Sequence, residues 1–260
     1  MQDLSITLIQ TTIYWENVQA NLSHLEEKIW ELQDNTDIII LPEMFNTGFS
    51  MNAEKLAEPM NLTTTKWMKQ MAAQTRACLC GSIIVKEYGK FFNRLLWVQP
   101  DGKYFFYDKR HLFRMAKEHQ IFSAGINRLV VEWKGWKICP LVCYDLRFPV
   151  WSRNRNNEYD LLIYVANWPA ARESAWNTLL PARAVENLCY TIGLNRCGED
   201  GLNIPYQGDS RIDDYLGKNL LQMGKEENMT TSILSLEKLA RYREKFPAQH
   251  DADQFELKSL

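Results

Sequence analysis

No apolar run in this chain approaches the roughly 18 residues that a membrane helix needs. The opening residues, Met1 to Gln10, lack both a basic start and the apolar core of a secretory signal. A soluble protein of the cytoplasm is therefore expected. Neither sign of charge is in excess: the formal net charge is -2, which gives no reason to expect nucleic acid or an anionic membrane as partner. No Pro/Gly/Ser-rich linker, short-period repeat or low-complexity tract interrupts the chain, so residues 1–260 read as one domain. Cysteine is sparse as well. The six cysteines (78, 80, 139, 143, 189 and 197) form one C-x-C and one C-x3-C pair, neither with zinc-finger spacing. Without a secretory leader, free thiols are expected, most of them small buried hydrophobes. No metal and no cofactor is expected.

What the chain does have is an ordinary globular composition, 46% hydrophobic and 24% charged. Its patterning alternates between two periods. Ser5 to Ile9 suits a first strand, and Val18, Leu22, Leu25, Ile29 and Leu32 form one stripe of a helix over Glu16 to Gln33. Asp37 to Leu41 reads as a strand buried on both faces. A loop over Met44 to Asn61, a helix over Thr63 to Arg76 and a strand over Leu79 to Val85 follow. Turns at Tyr88-Gly89-Lys90 and Pro100-Asp101-Gly102 join strands over Phe91 to Gln99 and Lys103 to Tyr107. An irregular stretch then runs to Gly125, and Lys134-Gly135 turns a hairpin of Arg128 to Trp133 and Trp136 to Val142. Beyond it come strands over Asp160 to Ala166 and Tyr190 to Asn195, with a helix over Ser174 to Leu188 between them. Tyr206 to Ile212, Asn219 to Met223 and Thr230 to Leu234 read as closing strands, and Leu236 to Lys245 as a last helix. The class is α/β, with central sheets covered by helices.

Three polar residues stand directly after apolar or aromatic strands: Glu43, Lys109 and Cys143. Chemistry gathers at strand ends in sheets of this class. A thiol, a carboxylate and an amine make a set for acyl transfer, with Cys143 attacking and Glu43 taking its proton. Lys109 would stabilise the oxyanion beside the backbone N–H of Tyr144. Each residue also has an ordinary reading: a core thiol, a capping or solvated carboxylate, a surface charge. A cysteine–histidine hydrolase using His111 or His119 is a further alternative.

The segments around the three residues resemble the signature blocks of the nitrilase superfamily of carbon–nitrogen hydrolases. They are Leu41-Pro42-Glu43-Met44, Tyr107 to Phe113, and Leu141 to Pro149. Asn167-Trp168-Pro169, Ala182 to Asn187, Asn195-Arg196 and Gly208-Asp209-Ser210 match as well, so the resemblance covers nearly the whole chain. Within the superfamily, Tyr107 to Met115, Trp151-Ser152-Arg153 and Tyr242 to Ala248 look like bacterial omega-amidases. That resemblance implies a four-layer α-β-β-α sandwich, a homodimer and hydrolysis of 2-oxo amides such as 2-oxoglutaramate. It makes Glu43 the base, Lys109 the oxyanion stabiliser and Cys143 the nucleophile, with Glu118 a second glutamate that orients substrate or water. Arg147 is expected to grip a distal carboxylate, with an ion pair to Asp145 as its structural alternative. Trp168 and, less directly, Phe45 and Phe49 are expected in the pocket wall. Where many members carry a glutamate after Arg-Phe-Pro, this chain has Val150. Nitrile hydrolysis, N-carbamoyl hydrolysis and a catalytically silent binding role remain as alternatives.

Overall fold

The computed structural model describes residues 2–33 and 35–257. In chain order, β1 (Leu4–Gln10), α1 (Val18–Trp30), β2 (Ile38–Ile40), α2 (Ala53–Leu56) and α3 (Thr63–Thr75) lead to β3 (Cys78–Glu87). Next come β4 (Lys90–Val98), β5 (Tyr104–Asp108), α4 (Glu118–Ile121), β6 (Val131–Trp133) and β7 (Trp136–Val142). Then follow α5 (Pro149–Ser152), β8 (Leu161–Ala166), α6 (Glu173–Asn187), β9 (Tyr190–Asn195), β10 (Cys197–Glu199) and β11 (Pro205–Gln207). The chain closes with β12 (Arg211–Asp213), β13 (Asn219–Gln222), β14 (Asn228–Leu234) and α7 (Leu236–Lys245).

Two six-stranded sheets result, in the orders β14-β1-β2-β3-β4-β5 and β13-β12-β9-β8-β7-β6, and β10 and β11 form a separate hairpin. The central strands β1, β2 and β3 run parallel, as do β7, β8 and β9, while the flanking pairs are antiparallel. β1 faces β9 and β4 faces β7 across the interior. Period-two alternation assigns the faces. Ile38, Ile40, Leu95 and Trp97 point into the core shared with the second sheet, whereas Ile39, Leu96 and Val98 pack against α1 and α3. The helices supply matching stripes, Leu22, Leu25 and Ile29 from α1 and Trp67, Met68 and Met71 from α3. On the far side, Trp176 and Leu180 of α6 cover the second sheet. The architecture is the four-layer α-β-β-α sandwich.

Local chemistry moves several boundaries from their expected places. The first helix starts at Val18, because Glu16 has φ 52° and Asn17 caps the helix by accepting from the Ala20 N–H at 3.1 Å. The expected strand over Tyr206 to Ile212 is two strands, since Gly208 and Asp209 both adopt positive φ and break the pleat. The stretch to Gly125 carries a 3-10 turn, Arg114–Ala116, and the short α4. All six cysteines are unpaired and buried. No helix among the described residues is long and apolar enough to cross a membrane.

Candidate active site

Four strand ends converge on one point. β2 stops at Ile40, and Leu41-Pro42 carry the chain to Glu43. The turn is pinned to β3 by the Met44 N–H, which donates to Ser82 Oγ at 2.9 Å. Lys109 follows β5; its N–H donates to the Asn93 carbonyl at 2.9 Å, and its own carbonyl accepts from Gly125 at 3.0 Å. Cys143 ends β7 at φ 43° and opens a 3-10 turn over Cys143–Arg147. Asn167 follows β8. Glu43 and Lys109 thus come from the first sheet, Cys143 and Asn167 from the second.

The polar groups are buried and almost fully paired. Lys109 Nζ donates to Glu43 Oε1 at 2.8 Å and to Glu118 Oε2 at 3.0 Å. Asn93 Nδ2 donates to Glu43 Oε1 at 2.8 Å and reaches Glu118 Oε1 at 3.4 Å. The other Glu43 oxygen accepts the Asn167 N–H at 2.9 Å, and Asn167 Nδ2 donates to the Glu43 carbonyl at 2.6 Å. Glu118 Oε2 also accepts the Phe113 N–H at 2.6 Å. Asn93 and Asn167 had no role assigned from the sequence. One signal for Asn93 was available: with Arg94 it is a polar pair set between apolar residues of one strand, Phe91-Phe92-Asn93-Arg94-Leu95-Leu96.

Electrostatics follow from this packing. Burial alone would push the Lys109 ammonium down, but Glu118 and Glu43 outweigh it and hold the group charged, above the ordinary lysine value. The Glu118 carboxyl is pushed up by burial and by Glu43, against the pull of Lys109. Burial and the facing Glu43 carboxylate push the Cys143 thiol well above its ordinary value, although Lys109 opposes them. That direction favours the thiol form of Cys143, whose Sγ lies near the Asn167 carbonyl at 3.8 Å. The cation beside it does not by itself generate a thiolate.

Cys143 and Lys109 form part of the wall of a cavity of about 680 Å³. Trp15, Phe49, Phe113, Tyr144, Trp168 and Tyr206 supply its aromatic lining, with Arg147 and Arg172 among them. Arg147 does not pair with Asp145; its guanidinium lies 5.0 Å from the Trp168 ring centroid. Asp145 instead accepts from Tyr107 Oη at 2.8 Å and from the Val142 and His111 N–H groups. Phe45, expected in the pocket wall, is a correction. It is fully buried between the first sheet and α3, 5.9 Å from Trp67, because the turn after Glu43 points it into that layer. Phe49 takes the wall position. His111 stacks on Phe148 at 3.8 Å, His119 is exposed, and neither lines the cavity. Among the described residues no cluster of His, Cys, Asp and Glu is arranged to hold a metal ion.

Known proteins resemble the chain along its whole length. The chain is 50% identical over 260 residues to Omega-amidase YafV of Yersinia enterocolitica, covering 99% of this chain and 100% of that one. It is 30% identical over 251 residues to a 2-oxoglutaramate amidase of Bacillus subtilis, covering 95% and 96%. A Xanthomonas campestris CN-hydrolase superfamily protein, solved with an arsenic adduct in its active site, superposes with a TM-score of 0.97 at 44% identity, covering 99% and 100%. A Saccharomyces cerevisiae member of the nitrilase superfamily, 24% identical, shares the fold at a TM-score of 0.82, covering 95% of each chain. The carbon-nitrogen hydrolase profile matches residues 5–244, a span that includes all four converging strand ends. On that match, and on likeness along its whole length, the chain belongs to the carbon–nitrogen hydrolase family of the nitrilase superfamily.

Proposed function

We propose that this protein is an omega-amidase, which hydrolyses the terminal amide of small 2-oxo dicarboxylic acid monoamides such as 2-oxoglutaramate and 2-oxosuccinamate. The carrying observation is the buried cluster in which Glu43 and Lys109 meet at 2.8 Å beside Cys143, in the wall of a cavity that Arg147 and Arg172 also line. The names of the relatives support the substrate class.

In this reading Glu43 removes the Cys143 proton as Sγ attacks the amide carbon. Proton transfer during attack suits a thiol held above its ordinary pKa. The oxyanion is held by the Lys109 ammonium and the Tyr144 N–H. Glu43 returns the proton to the amide nitrogen, the C–N bond breaks, and ammonia leaves a thioester on Cys143. Water then gives a proton to Glu43 and attacks the thioester; collapse releases the carboxylic acid and restores the thiol. Glu118 holds Lys109 in place from the other side, and Trp168 forms the wall under Arg147. Removal of an oxyanion donor costs about 10²–10³ in rate, so Lys109→Ala is expected to be nearly inactive.

We place the enzyme in the cytoplasm as a homodimer. The exposed apolar side chains Val185 of α6 and Phe246 just after α7, which line one surface pocket, support pairing through that region. A monomer in analytical ultracentrifugation would remove the dimer and leave the chemistry untouched. The chemistry is tested by ammonia release from 2-oxoglutaramate, with Cys143→Ala as control. Release by the parent alone is expected. Equal silence from both proteins would end the omega-amidase reading.

A further inference from the structure

Two guanidinium groups in the cavity wall lack an anion. Arg147 has no hydrogen bond or ion pair among the described residues and only the Trp168 ring beside it. Arg172 lies in the 3-10 turn Ala170–Arg172 that precedes α6. Its guanidinium donates to the Met115 thioether at 2.9 Å and sits 5.2 Å from the Phe113 ring centroid. A thioether is a weak acceptor, and Met115 is 76% exposed and so easily displaced. Arg172 is tied to the other arginine's platform, because Trp168 Nε1 donates to the Arg172 carbonyl at 2.8 Å.

The remaining charged groups of the wall are already held by hydrogen bonds. Lys109 is held by Glu43 and Glu118. Glu16 accepts from Ser50 Oγ at 2.7 Å and Asn52 Nδ2 at 3.2 Å. Asp200 accepts from the Leu202 and Ile204 N–H groups at 2.8 and 3.1 Å and from Tyr206 Oη at 2.9 Å. An entering anion therefore meets two guanidinium groups without an anionic partner, whereas the oxygens of Glu16 and Asp200 are already engaged by neutral donors.

We propose that Arg172 is a specificity-determining residue that works with Arg147 to hold the carboxylate and adjacent 2-oxo group of the substrate and to turn away amides carrying an α-ammonium group. The inference rests on the omega-amidase reading. A 2-oxo acid presents its keto oxygen and carboxylate oxygens as acceptors only, which suits two planar donor forks. Glutamine offers the same amide and carboxylate but sets an ammonium where the 2-oxo acid has its ketone. Beside two guanidinium groups that ammonium is repelled, so discrimination combines attraction for one compound with repulsion of the other.

The test compares kcat/KM for 2-oxoglutaramate with that for pentanamide, a neutral amide of equal chain length. In Arg172→Gln the ratio is expected to fall about 10–100-fold, as for loss of a charged hydrogen-bonding partner; Arg172→Lys should recover part of it. Arg172→Glu should raise hydrolysis of glutamine relative to 2-oxoglutaramate. A parent that hydrolyses 2-oxoglutaramate, with an unchanged ratio in Arg172→Gln, overturns the role of Arg172 and leaves the amidase reading intact. A parent that does not hydrolyse it is assayed for 2-oxoglutarate binding as Cys143→Ala, by calorimetry. Binding weakened about 10–100-fold by Arg172→Gln keeps the anion clamp without the amidase; no binding removes both.

Discussion

Asn93 determines how two carboxylates and one ammonium share a buried site. Its amide is the only neutral donor reaching both Glu43 and Glu118 among the described residues. Asn93→Leu leaves volume nearly unchanged but removes that bridge, so kcat for 2-oxoglutaramate should fall at least about tenfold while the protein stays folded. Steady-state kinetics with circular dichroism would check this, and an unchanged kcat would make Asn93 a packing residue only. The raised thiol of Cys143 leads to a second expectation. Alkylation by iodoacetamide depends on the thiolate, so its rate should climb through alkaline pH without a plateau near neutrality. Glu43→Gln takes away a negative neighbour that raises this pKa. Alkylation at neutral pH should then be faster than in the parent while ammonia release is lost. Mass spectrometry of the labelled peptide reads the first quantity; a slower rate would mean that Glu43 also serves as base for alkylation. The grouping of Glu43, Lys109 and Cys143 was suggested by polar residues at the ends of apolar strands, each with an ordinary alternative, and was singled out by the resemblance of the blocks around them. Phe45 was misplaced because a turn residue's side is set by φ, and the positive φ of Met44 beside it leaves no mark in residue type.

Elements carry these residues, and their joins are tight. Gly125 passes so close to β5 that an added Cβ would lie 2.0 Å from the Asp108 carbonyl oxygen. Its N–H also holds the Lys109 carbonyl. Gly125→Ala should therefore shift the end of β5, lowering stability by about 1–3 kcal/mol and depressing activity further than that loss explains. Urea unfolding together with kinetics separates the two effects; a variant of parental stability and turnover would show that the loop simply yields. The helices α1 and α3 were readable from residue spacing, since one-sided burial imposes the period, and β8 from its unbroken apolar run. The split between β11 and β12 was not. There, two consecutive positive-φ residues override a continuous β-like pattern. The order of strands within each sheet was equally unreadable, because pairing joins segments far apart in the chain, as β1 with β14.

Taken together, the sandwich buries titratable groups that favour its neutral state. Burial pushes the Cys139 and Cys189 thiols up to about 12 and the Cys197 thiol up to about 11. In the unfolded chain these thiols ionise near ~8.5. The folded form then holds more protons at alkaline pH, so stability is complete below that value and declines as pH rises above it. Each thiol contributes about 1.4 kcal/mol per pH unit to the decline. Thermal melts between pH 7.5 and 10.5 should show Tm falling, less steeply in Cys189→Ala; parallel slopes would mean that this thiol does not titrate on unfolding. The division of the site between sheets has a different consequence. Glu43 and Lys109 ride on one sheet and Cys143 on the other, so the distance between the Cys143 thiol and the Glu43 carboxylate is also a distance between the two layers. Turnover is thus a gauge of how the layers are seated. A compact state that kept its strands but let the sheets slip would be silent, and activity should vanish on denaturation before the secondary structure does.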